Sequence, residues 1–105
     1  MTPKEITPAE TAALMKSGAL LVDVRETPER ESGVIPGAAH APLSILERTA
    51  LGARPGQAVI FHCRSGGRTA MNAAALKAKA GGCDTYLLKG GIDAWRAAGL
   101  PVERP

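Results

Sequence analysis

The segment AVIFHCRSGGRTAMNAAALKAKAGG, residues 58–82, joins three kinds of sequence in 25 residues. It opens with the apolar run Ala58 to Cys63, of strand length and without polar alternation, the pattern of a strand covered on both faces. It closes with an alanine-rich stretch of strong helix formers that Gly81-Gly82 terminate, with Met71, Ala74, Ala75 and Ala78 on one face. Between them lie two arginines and two glycines directly after a cysteine. A strand, a Gly-rich turn and a helix in this order are the unit from which parallel α/β sheets are built.

The flanking sequence repeats that alternation. Lys4 to Thr7 is a short first strand, and Thr7-Pro8 with Glu10 carries the capping pattern of a helix that buries Ala12, Leu14 and Met15 and stops at Gly18. ALLVDV (19–24) is a second covered strand, and Thr27-Pro28 starts one short helix. Pro36-Gly37 is a turn, Ala38 to Ala41 a brief edge strand, and Leu43 onward a helical turn or two before the turn at Arg54 to Gln57. Thr85 to Leu88 is a further strand, and the last helix ends at Gly99 and Pro101. The expected architecture is a three-layer α/β sandwich: a mainly parallel central sheet of about five strands with helices on both faces. The strand-to-helix junctions at DVRE (23–26), HCRSGGR (62–68) and KGGIDAW (89–95) should meet on one edge of that sheet.

Composition narrows the function. The 105 residues fit one domain, read here as spanning 1–105, with 45% hydrophobic residues and a core built from aliphatic side chains, because only Phe61, Tyr86 and Trp95 are aromatic. The net charge of +3 is scattered, with no basic run, which argues against nucleic acid and suits a small anionic substrate. Two cysteines do not make a disulfide framework, no N-terminal leader pattern is present, and no apolar run reaches the roughly 20 residues of a membrane span. The expectation is a cytoplasmic protein; a longer, membrane-anchored parent from which this chain is one domain is compatible with it.

Cys63 stands at the mouth of the loop. A Gly-rich turn entering a helix can curl its backbone N–H groups around one point, and the helix dipole and the guanidiniums of Arg64 and Arg68 add positive potential there. These effects favour thiolate over thiol, and the same cradle holds an oxyanion against the sulfur. Gly66 and Gly67 are read as the positions that adopt positive φ. Ser65 and Thr69 complete the loop. A cysteine at a strand end is also often an inert buried thiol; the glycines and arginines that follow favour the nucleophile. Arg64 is read as an exposed rim residue. Arg68 is either a ligand for a donor anion or an ion-pair partner at the helix start. His62 and His40 are read as packing residues, and Cys83 as structural or incidental.

Four segments, DVRE, GVIPGAAHAPL (33–43), HCRSGGRT (62–69) and LKGGIDAW (88–95), resemble the rhodanese (sulfurtransferase) family in order and spacing. Within it the chain is most similar to the cytoplasmic rhodanese domain of a bacterial inner-membrane sulfurtransferase. The resemblance implies that Cys63 takes a sulfane sulfur from a donor such as thiosulfate and passes it, as a persulfide, to cyanide or a cellular thiol, with no cofactor and no metal. It implies loop amides that stabilise the persulfide, Arg64 and Arg68 as donor-binding candidates, Asp23 and Arg25 as supports for the loop, and Gly90, Gly91 and Trp95 packed beside the site. The chain departs from the family at Arg30, where an aromatic residue is common, and at Val34, where histidine is common. Cysteine phosphatases read H-C-x5-R-[ST], whereas this loop reads H-C-x4-R-T, a smaller ring, and contains no aspartate to act as general acid. A phosphatase or arsenate reductase, and a persulfide-carrying regulatory module, are the alternatives.

Overall fold

The computed structural model describes residues 2–105. Five strands, β1 (Lys4–Ile6), β2 (Leu20–Asp23), β3 (Ala39–His40), β4 (Val59–His62) and β5 (Thr85–Leu88), form one sheet in the order β1-β5-β4-β2-β3. All four neighbouring pairs are parallel. The two short strands β1 and β3 take the edges, and the apolar runs β2, β4 and β5 take the interior, as strands buried on both faces must.

Alternation along the interior strands divides the core into two layers. Val22, Val24, Val59, Phe61, Cys63 and Leu87 face one side, under Ala73, Leu76, Ala80 and Leu46. Leu21, Ile60 and Leu88 face the other, with Ile6, Ile35, Ile92 and Trp95. Helix α1 (Pro8–Lys16) covers this second layer with Ala12, Leu14 and Met15, and it is capped as its sequence specifies: the Thr7 hydroxyl accepts from Glu10 N and the Glu10 carboxylate from Thr7 N. Helix α4 (Gly91–Ala97) lies on the same side.

Two local expectations are corrected. The alanine-rich stretch is two short helices, α2 (Gly67–Met71) and α3 (Ala73–Lys79), parted at Asn72 (φ −108°, ψ 16°), whose side chain donates to the Arg68 carbonyl. The face of Met71, Ala74, Ala75 and Ala78 is the solvent face; Thr69, Ala73, Leu76 and Ala80 point inward, and Met71 is 87% exposed. Alanine counts as apolar on either face, so its periodicity alone does not orient a helix. The short helix does start at Thr27, but Thr27–Ser32 is 3-10, with Glu26 at its N-cap; Leu43–Arg48 is likewise 3-10. The chain end returns across the first loop, where Val34 and Glu103 exchange backbone hydrogen bonds of 2.7 and 2.9 Å. Among the described residues no helix is long and apolar enough to cross a membrane.

The inward face of α3 yields a stability test. Leu76→Ala, at a fully buried site, should cost about 2–5 kcal/mol. Met71→Lys should change stability by no more than about 0.5 kcal/mol. Urea unfolding of the two variants beside the parent checks both.

Candidate active site

Strands β2, β4 and β5 are neighbours and parallel, so the loops that follow them leave from one edge of the sheet. The three junctions singled out in the sequence therefore do converge. Cys63 follows β4 at the centre of that edge and is fully buried.

The loop after Cys63 is held by its carbonyl groups. The Cys63 carbonyl accepts from Ile92 N at 3.0 Å, and the Arg64 carbonyl accepts from Asp93 N at 3.0 Å, so the start of α4 binds two successive peptides of the loop. In a trans peptide the N–H points opposite to the C=O. The N–H groups of Arg64 and Ser65 are thus turned away from α4, and neither has a hydrogen-bond partner among the described residues. The approach is close enough that a Cβ on Gly91 would sit 2.5 Å from both carbonyl oxygens. Gly66 turns the chain at φ +94° and packs against Gly90, 3.1 Å from its Cβ position to Gly90 N. Gly67, expected to need positive φ as well, does not: it is the first residue of α2, and a Cβ there would meet only Ser65 Oγ at 3.9 Å.

That curl brings donors to the sulfur. Gly66 N donates to Cys63 Sγ at 3.2 Å, and the Thr69 hydroxyl lies 3.7 Å from it. Burial pushes the Cys63 thiol pKa up, but the Thr69 N–H and hydroxyl and the N–H groups of Gly66 and Arg68 together bring it below its ordinary value.

Beneath the loop is a buried polar cluster. Arg25 grips Asp23 through Nε and Nη2, the latter at 2.8 Å, and reaches on to the Gly33 carbonyl at 2.8 Å and the Glu29 carbonyl at 3.3 Å. Burial raises the Asp23 pKa, but Arg25's hydrogen bonds and the surrounding positive charge take it below the ordinary carboxylate value. Arg30 fills the position of the family's aromatic residue and points Nε at Asp23 from 3.7 Å. Asp23 and Arg25 accordingly fasten the 26–33 segment rather than touching the sulfur loop. The link to that loop is Glu29, a residue the sequence did not single out: its carboxylate takes both Nη atoms of Arg68, at 2.6 and 2.7 Å. Of the two readings left open for Arg68, the structure displays the ion pair, with Glu29 lying 39 residues away in sequence and carrying no local signature of its partner. Arg64 is exposed, its Nε 3.7 Å from Asp93.

His62 alternates to the face opposite Cys63. Its Nδ1 is 3.0 Å from the Cys63 carbonyl, which can only accept, so the proton sits on Nδ1. Burial lowers the ring's pKa against the opposing pull of Asp23, so the ring is neutral at pH 7 and serves as a backbone tie. Trp95 lies in the second core layer, its Nε1 bonded to the Pro101 carbonyl at 2.8 Å; Gly90 and Gly91 are the residues that reach the loop. Cys83 precedes β5 at the other end of the sheet, roughly 20 Å of strand rise from Cys63, too far for a disulfide. Among the described residues no group of acidic, histidine and cysteine side chains is placed to hold a metal.

Comparison with known proteins gives the family and the fold. Residues 7–98 match the model of the rhodanese-like domain. A thiosulfate sulfurtransferase GlpE of Pseudomonas fluorescens is 34% identical over 100 residues, covering 95% of this chain and 90% of the relative. A rhodanese-related protein of Thermoplasma volcanium superposes with a TM-score of 0.81 at 25% identity, covering 95% of this chain and 97% of the other. A protein of Rhodopseudomonas palustris described as a possible tyrosine phosphatase superposes at 0.78 with 32% identity, covering 96% and 85%. The chain belongs to the rhodanese family.

Two measurements probe the site. Gly91→Ala should displace the loop and move the Cys63 pKa up toward the free-thiol value of about 8.5, whereas Gly67→Ala should leave it in place. The pH profile of iodoacetamide alkylation, read on the Cys63 peptide by mass spectrometry, separates them. Arg68 holds the Glu29 carboxyl at about 2 against an ordinary 4.5, with burial opposing. A folded-state pKa below the unfolded one means the brace contributes fully above about pH 4.5 and is lost as pH falls toward 2. The stability difference between the parent and Glu29→Gln should therefore shrink across that window, as followed by urea midpoints.

Proposed function

We propose that the chain is a thiosulfate-type sulfurtransferase with Cys63 as the sulfur carrier. The Cys63 thiolate attacks the outer sulfur of thiosulfate, the S–S bond of the donor breaks, and sulfite leaves with the electron pair. The product is a Cys63 persulfide whose outer sulfur carries the negative charge. Cyanide carbon or a thiolate then attacks that outer sulfur, the persulfide S–S bond breaks, and the electron pair returns to Sγ. No net oxidation is required, and no cofactor enters.

The observation that carries this reading is the donor set around one sulfur: Gly66 N–H on Sγ itself, the Thr69 hydroxyl beside it, and the N–H groups of Arg68 and Thr69, which help to hold its pKa down. Such donors stabilise the anion in the entering thiolate and in the persulfide alike. Exposed Arg64 is the residue assigned to the donor anion, and Arg68, through Glu29, holds the loop in shape. The phosphatase alternative requires a protonated acid for the leaving group. Glu29, with a pKa near 2, is ionised at neutral pH and bound to Arg68. Asp93, whose N–H binds the Arg64 carbonyl of the loop, lies against the Arg64 side chain.

Treatment with thiosulfate should add the mass of one sulfur to the intact chain, and cyanide should remove it as thiocyanate. Cys63→Ser should take up no sulfur and lose on the order of 10³-fold or more in thiocyanate formation. Cys63-dependent hydrolysis of an aryl phosphate without sulfur uptake would instead establish the phosphatase.

A further inference from the structure

Beside the sulfur loop runs a cleft of about 460 Å³, lined by Arg25, Glu29, Ser32, Arg64, Ile92, Asp93 and Arg96. Cys63 is not among its walls; the cleft begins at Arg64, the next residue in the chain. Its charges are mostly spoken for. Arg25 is bonded to Asp23, Glu29 to Arg68, and Arg64 lies beside Asp93. Arg96 differs: among the described residues it pairs with no carboxylate, and its Nη2 donates only to the Ser32 carbonyl at 2.5 Å. Its guanidinium retains further N–H donors in the fork that matches a carboxylate.

Position decides which anion this suits. Ile92 touches the loop through its amide, and Arg96 stands one helical turn on, about 6 Å further along α4. The donor's sulfonate must stay within one bond of the sulfur being transferred, so it belongs at the loop amides and Arg64. An anchor a helical turn away matches a longer molecule, with its reacting atom at the loop, its methylenes along the cleft beside the first turn of α4 and its anion at the far end.

Resting on the sulfurtransferase reading, we propose that this cleft is the acceptor site for small carboxylate-bearing thiols, and that Arg96 is the specificity-determining residue that binds their carboxylate. The acceptor thiolate attacks the outer sulfur of the anionic Cys63 persulfide, the Cys63 S–S bond breaks with its electron pair going to Sγ, and the acceptor leaves as the persulfide anion RSS⁻.

The test uses the full chain, loaded with sulfur from thiosulfate, and follows loss of the added sulfur by intact mass. Arg96→Gln keeps a donor for the Ser32 carbonyl while removing the charge. With 3-mercaptopropionate as acceptor, the variant should discharge about three- to tenfold more slowly than the parent. With neutral 2-mercaptoethanol, with cyanide, and in the loading step, variant and parent should match. Arg96→Lys should recover part of the lost rate, and added salt should narrow the gap. Equal slowing with both thiols would assign Arg96 a purely structural role and overturn the proposal. Unchanged discharge with both would show the cleft unused. A defect confined to loading would assign Arg96 to the donor. If the parent itself takes up no sulfur, the sulfurtransferase reading falls first and the acceptor site with it.

Discussion

Two peptide groups carry the site. The carbonyls of Cys63 and Arg64 are bound by the amides at the start of α4, and that pairing sets the direction of the N–H groups that follow. Its geometry requires a residue without a side chain at Gly91, because a Cβ there would occupy the space of both oxygens. It also requires β4 and β5 to be adjacent and parallel, so that the loop after one meets the helix after the other. The sheet order and the depressed pKa of Cys63 are thus parts of one arrangement.

Charge is managed in the same way. The interior holds Asp23, Arg25 and His62, groups that are costly to bury alone. Each meets a partner: Arg25 binds Asp23 and two carbonyls, and His62 stays neutral and ties down the Cys63 carbonyl. The cluster anchors the 26–33 segment, and Glu29 on that segment reaches Arg68 at the base of the sulfur loop. Rigidity under the loop matters because N–H donors stabilise an anionic sulfur best when they do not have to reorganise around it.

The two departures from the family pattern are absorbed locally. Arg30 turns its guanidinium toward Asp23, adding positive charge to the cluster. Val34 pairs with Glu103 through the backbone, which any residue other than proline permits. Neither reaches the sulfur.

Covered strands, the Thr7 cap, the glycine-rich turn and the candidate nucleophile were legible in the sequence, because apolar run length, capping chemistry and the residue order around Cys63 are local properties. Alternation also placed His62 opposite Cys63, since successive strand residues point to opposite faces. The orientation of α3 was not legible: alanine contributes to a core or a surface, and only the seating of Leu76 and Ala73 on Phe61 and its neighbours chose between them. The different settings of Arg68 and Arg64 were equally out of reach, because they depend on Glu29 and Asp93, and an ion pair across 39 residues leaves no periodic trace. By itself the sequence determined the order of strands and turns and marked the Cys63 sulfur as the candidate reacting atom. The tertiary structure decided which donors face that atom and which arginine stays available, because both follow from where loops distant in the chain meet at one edge of the sheet.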